Sequence, residues 1–147
     1  MYRIPVYTVS LVREHSQAAE TKVITSPLEA YHLLNTYIGE ADREHFVVLL
    51  LDTRNVVRGI HTVSIGSLNA SCVHPREVFK AAILTNAAAV IVGHNHPSGN
   101  PIPSHEDIAL TERLVQAGEL LGIPVLDHLV LGDQAYISLQ ERGLIHK

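Results

Sequence analysis

The segment Gly93-His94-Asn95-His96-Pro97-Ser98-Gly99-Asn100-Pro101-Ile102-Pro103-Ser104-His105-Glu106-Asp107 gathers the side chains of this sequence best suited to bind a metal. In an extended chain, side chains two residues apart point to the same side. His94 and His96 therefore share one side of a strand end, and Asn95 faces the other. Asp107 comes back from the first turn of a helix expected to begin at Ser104. Two imidazoles and one carboxylate leave a fourth tetrahedral position for water, which is the open arrangement of catalytic zinc, and bound water there ionises near a pKa of roughly 7. Pro97, Pro101 and Pro103 stiffen the connecting loop and lower the entropy lost in holding the ligands together.

Each half of this pattern has a simpler explanation. A His-x-His on a strand is often two polar residues on a solvated face. Ser104-x-x-Asp107 is also a helix capping pair, with the carboxylate placed where the helix dipole favours it. Their joint occurrence at the mouth of an apolar strand favours the metal site, and Asp107 can ligate while Ser104 caps. The sequence holds ten histidines, and His15, His32, His45, His61, His74, His105 and His146 are read as solvated or locally hydrogen-bonded. The single cysteine, Cys72, excludes an internal disulfide and a zinc site of several thiolates, and it reads as a small buried hydrophobe.

Regular elements must position these groups. Alternation predicts a strand over residues 2–13, with Ile4, Val6, Thr8, Ser10 and Val12 on one side and Tyr7, Val9 and Leu11 on the other. Ser26-Pro27-Leu28-Glu29 predicts a helix start, running to Ile38 and stopping at Gly39. Phe46–Leu51 and Val56–Ile65 form a hairpin across Asp52-Thr53-Arg54-Asn55. Pro75 opens a second helix, through Val78, Ala81, Ala82 and Leu84 to Asn86. A buried strand over Ala87–Gly93 leads into the ligand loop. The helix from Ser104 to Gly122 carries Ile108, Thr111, Leu114, Gly118 and Leu121 along one face. Pro124–Val130 and Ala135–Leu139 close the chain as strands, turning at Gly132-Asp133. The result is a mixed α/β sheet covered by helices, with residues 1–25 as an N-terminal strand and extension and 26–147 as one domain.

At 147 residues, with 46% hydrophobic and 18% charged residues, the sequence suits one compact domain with a real core. Its formal net charge of -4 disfavours a partner gripped by its phosphates, because counterion release by basic residues supplies most of such affinity. No stretch approaches the roughly 20 apolar residues of a membrane helix, and the start lacks the apolar run of a signal peptide, so no membrane partner and a cytoplasmic location are expected.

His-x-His, seven residues, Ser, two residues and Asp resembles the signature of the JAMM (MPN+) metalloproteases. The stretch from Ser26 to Lys147 resembles their RadC-like branch, through His94-Asn95-His96-Pro97-Ser98-Gly99, Val73-His74-Pro75-Arg76-Glu77-Val78 and Leu126-Asp127-His128. The resemblance implies a cytidine-deaminase-like α/β/α sandwich, the JAB/MPN domain, with a mixed curved sheet. It also implies zinc on His94, His96 and Asp107, and an upstream glutamate as general base. Glu44, just before the strand Phe46–Leu51, is the better position for that base; Glu40, in the polar loop after the first helix, is its nearest rival. Many RadC-like proteins carry an N-terminal helix-hairpin-helix region, for which this sequence is expected to have no room, and a role in DNA repair loses its most direct support accordingly.

The expected chemistry is amide hydrolysis of a peptide or protein substrate, with Glu44 as base and Ser104 as hydroxyl donor to the oxyanion. Asp127 and His128 are read as partners behind the ligands, or as an ordinary buried polar pair. Glu106 is expected to point away from the metal. A zinc nucleobase deaminase would need His-x-Glu and Pro-Cys-x-x-Cys, which a lone Cys72 cannot supply. The contiguous His-Asn-His does not fit the dispersed residues of an HNH nuclease. The non-enzymatic alternative is an interaction module of DNA repair or mobile elements with a structural or vestigial metal.

Overall fold

The computed structural model describes residues 1–66 and 73–145. Cys72 and His146 lie outside the described residues, so the readings made of them find no structural counterpart. Among the described residues, three helices and five strands follow in the order α1 (Pro27–Ile38), β1 (Glu44–Leu51), β2 (Val57–Gly66), α2 (Pro75–Leu84), β3 (Ala89–Asn95), α3 (His105–Leu121), β4 (Val125–Gly132) and β5 (Ala135–Ser138). The strands form one mixed sheet in the order β2-β1-β3-β4-β5. β1 is antiparallel to both β2 and β3, β3 is parallel to β4, and β4 is antiparallel to β5.

The sheet separates two apolar cores, as the expected sandwich requires. Phe46, Val48, Leu50, Val90 and Val92 pack with α2 and α3. Val47, Leu49, Leu51, Ala89, Ile91, Leu129 and Leu131 pack with Ala30, Leu33 and Leu34 of α1. The central strands β1 and β3 are covered on both faces, which is why they read as continuous apolar runs and not as alternation. The turn before β2 is fixed by Asp52, whose carboxylate accepts from the backbone N–H groups of Arg54 and Val56 and pairs with Arg58 at 2.9 Å.

Three expectations are corrected. Residues 2–13 form no regular element, and Tyr2, Val6 and Val12 are 97%, 95% and 84% exposed. Alternation supplies two faces, but a strand also needs a neighbour for its backbone. The chain joins the sheet edge later, where the Val57 N–H donates to Lys22 C=O and the Ile24 N–H to Asn55 C=O. On α3 the buried stripe runs through Asp107, Leu110, Thr111, Leu114 and Gly118, with Leu121 exposed. A Cβ at Gly118 would stand 2.5 Å from the Ile123 carbonyl oxygen, so this glycine lets the helix approach the start of β4. The final turn uses Asp133 and Gln134, with Gln134 at φ 51°, while Gly132 stays within β4.

Among the described residues, no helix is long and apolar enough to cross a membrane.

Candidate metal centre

β3 keeps its period of two to its end, so Val90, Val92 and His94 face the α3 side of the sheet, and His96 follows just beyond. The loop then runs over Pro97–Pro103 to Ser104, which caps α3. The Asp107 N–H donates to Ser104 Oγ at 3.1 Å, and the Ser104 N–H donates to Asp107 Oδ2 at 2.9 Å. This reciprocal pair is a capping box with aspartate as its acid. It fixes the Asp107 carboxylate at the helix entrance, facing both imidazoles.

Asp107 Oδ1 lies 3.3 Å from His94 Nε2, Asp107 Oδ2 lies 3.1 Å from His96 Nε2, and the two Nε2 atoms are 3.1 Å apart. Tetrahedral ligands held at about 2.0–2.1 Å from zinc stand about 3.3 Å from one another. His94, His96 and Asp107 therefore make a cluster that can hold a metal ion. His94 and Asp107 are buried and His96 is half-buried, so the cluster opens to solvent on the side of His96 and the exposed Ser104.

The electrostatics agree with a preformed cation site. Burial, the largest single influence, pushes the Asp107 carboxyl up, but hydrogen bonds from His94 and His96, with the His94 charge and the Ser104 N–H, hold it well below the usual carboxylate range. The hydrogen bond to Asp107 raises His96, against its burial, and the Asn100 carbonyl and the charges of Asp107 and Glu44 add to the rise. Two carboxylates thus act on one imidazole.

The tautomers follow from a chain of bonds behind the ligands. Thr111 Oγ1 donates its proton to the Asp107 carbonyl oxygen at 2.7 Å. Thr111 Oγ1 also lies 2.6 Å from His128 Nδ1 and, its own proton being given away, must accept from it. His128 is fully buried, and burial followed by the His94 charge holds it well below its ordinary value, so it is neutral. Its Nε2 therefore accepts from His94 Nδ1–H at 2.8 Å, so Nε2 is the nitrogen that a neutral His94 would offer to a metal in the cluster. His96 Nδ1–H donates to the Asn100 carbonyl at 2.8 Å, so Nε2 is likewise the nitrogen that a neutral His96 would offer.

The expected site residues divide accordingly. His94, His96, Asp107 and Ser104 come together. Glu44, half-buried at the head of β1, stands two residues before Phe46, whose ring stacks on His94 with centroids 5.9 Å apart. By strand period it rises from the same face as the ligands. Glu40 is exposed beyond α1 and Glu106 is exposed on α3. Asp127 and His128, read either as partners behind the ligands or as an ordinary buried polar pair, part company: Asp127 accepts from Ser138 Oγ and from the backbone N–H groups of His128 and Gln140, and bonds to none of the three cluster residues. Its place in the strand matches Leu129 and Leu131, which pack toward α1. It braces β4 against the segment after β5. Thr111 was invisible as a site residue in the sequence, where it read as one more position on the helix face.

The comparisons with known proteins agree with this geometry. The model of the RadC-like JAB domain family matches residues 24–144. A UPF0758 protein of Desulforamulus reducens is 54% identical over 128 residues, covering 86% of this chain and 56% of the relative. One from Methanosarcina mazei is 52% identical over 122 residues, covering 83% and 53%, and one from Caldanaerobacter subterraneus is 52% identical over 128 residues, covering 87% and 55%. The chain thus spans about half the length of these curated relatives. With nearly all of its folded part matched and a His-His-Asp cluster at the end of β3, the chain belongs to the RadC-like JAB domain family.

Proposed function

We propose that this protein is a zinc-dependent hydrolase of peptide or isopeptide bonds. The observation that carries the reading is the near-tetrahedral spacing of three potential ligand atoms, open on one side, with a glutamate on the same face. Zinc in that cluster would lower the pKa of water and polarise a carbonyl oxygen. The chain's own groups supply the remainder. His94 and His96 present neutral Nε2 atoms, and Asp107 offsets the cation's charge. Glu44 takes the proton of the attacking water and returns it to the leaving amine. The Ser104 hydroxyl accepts the Asp107 N–H with a lone pair, so its proton is available to an oxyanion on the open side. The substrate is a protein or peptide with an exposed amide, and the net charge of -4 argues against nucleic acid.

Metal analysis of the purified protein is expected to give one zinc per chain. Cleavage of a panel of peptide- and lysine-isopeptide-linked fluorogenic substrates is expected to fall by about 10²-fold or more in Glu44→Gln, with zinc content kept. Zinc binding without cleavage, or cleavage indifferent to Glu44→Gln, refutes the mechanism. In the first case, the non-enzymatic interaction module becomes the better reading.

A further inference from the structure

Asn95 sits between the two histidine ligands, and its side chain points to the opposite face of the sheet. The last backbone pair between β1 and β3 is Phe46 with His94. Beyond it β3 stays with β4, pairing Asn95 with Leu131, and the His96 N–H donates to Leu131 C=O at 2.7 Å. β1 and β3 therefore part at the metal centre, which leaves the head of β1 without a backbone neighbour on that side among the described residues. The Asn95 side chain fills the gap. Its Oδ1 accepts from the His45 N–H at 2.6 Å, and its Nδ2 donates to the Arg43 carbonyl at 2.9 Å. The orientation of the amide is fixed, because a backbone N–H can only donate and a carbonyl can only accept.

We propose that Asn95 positions Glu44: its side-chain amide replaces a peptide group of the β1–β3 ladder and holds the backbone on both sides of that glutamate. This role rests on the reading of Glu44 as the general base. Residues 43 and 45 are clamped by Asn95, and on the other edge Glu44 itself pairs with Gly66 of β2. With both edges held, the strand period aims the carboxylate at the face that carries His94 and His96. Asparagine is a poor strand former, and the use of both ends of its amide accounts for it at this position. The opening between β1 and β3 leaves room for reacting groups, and Asn95 keeps that opening from loosening the base.

Cobalt(II) is the probe, because its visible absorption responds to ionisation beside the metal. In the cobalt-loaded protein, Glu44→Gln is expected to move the midpoint of the pH-dependent spectral change. Asn95→Ala and Asn95→Leu are expected to move it in the same direction by about half a pH unit or more, and neither adds a further shift in the Glu44→Gln background. Asn95→Leu keeps the volume, adds no charge and loses both bonds, so a shared effect of the two variants excludes lost packing as the cause. Cobalt affinity is expected to stay within about threefold of the parent, short of the roughly 10- to 100-fold loss from removing a partner of a ligand. A parent-like midpoint in both Asn95 variants, a shift that adds to that of Glu44→Gln, or a tenfold or greater loss of cobalt affinity (roughly the lower bound for a ligand partner) overturns the positioning role. A parent-like midpoint in Glu44→Gln overturns the reading of Glu44 itself, and the positioning role falls with it.

Discussion

Thr111 has one hydroxyl proton, and the Asp107 carbonyl takes it; from that bond the protonation of His128 and then of His94 follows in order. Thr111→Val keeps the volume but leaves His128 Nδ1–H buried without an acceptor, a cost of about 1–3 kcal/mol. It also releases His94 from a single tautomer. Chelator-competition titration is expected to show zinc affinity weakened about 10- to 100-fold in Thr111→Val, with much of it restored in Thr111→Ser. The metal-free protein carries a second signature at this scale. His96 is raised in the folded state by Asp107, so its contribution to stability is fully present below the ordinary histidine value and is lost as pH rises through the raised one. Denaturant titrations of the metal-free protein are expected to show stability falling across that window, and His96→Gln is expected to flatten the fall. The His94-His96-Asp107 cluster was legible in the sequence because a period of two and a helix cap are local rules. Thr111 and His128 were not legible as a pair, because they stand seventeen positions apart on different elements, and no local pattern records which face of α3 meets β4.

Gly132 shows how one element governs another. Its position next to Asp133 suggested a turn glycine, but the structure uses it as a gap. A Cβ there would stand 2.4 Å from the Gly99 carbonyl oxygen and 2.7 Å from Pro101 Cδ. The loop pressed against β4 at this point is the one whose Asn100 carbonyl orients His96. Gly132→Ala must push that loop outward, and an overpacked contact of this kind costs about 1–3 kcal/mol. Thermal melts are expected to show the destabilisation, and zinc titrations of the same variant to show weaker binding although no ligand has changed. The helices and the central strands were legible from caps, prolines and unbroken apolar runs. The failure over residues 2–13 has a definite cause: alternation describes the faces of a strand and says nothing about who pairs with its edges.

At the scale of the whole molecule, residues 1–20 contribute no buried side chain. Within them Met1, Tyr2, Ile4, Val6, Tyr7, Val9, Leu11 and Val12 are at least half exposed. Removing residues 1–18 is therefore expected to shift the melting temperature by less than about 2 °C, since surface changes without buried partners stay near ±0.5 kcal/mol. A larger drop, measured by calorimetry, would show that the arm packs on the domain in solution. The sheet that divides the two cores has a further consequence. His94, His96, Asp107, Thr111 and His128 all belong to the α3 side, and α1 on the other face supplies none of them. A metal bound by β3 and α3 locks only one half of the sandwich. Local unfolding in a metal-bound protein would then be lopsided: the metal would hold back opening of the α3 half, while opening of α1 would be set mainly by its own contacts.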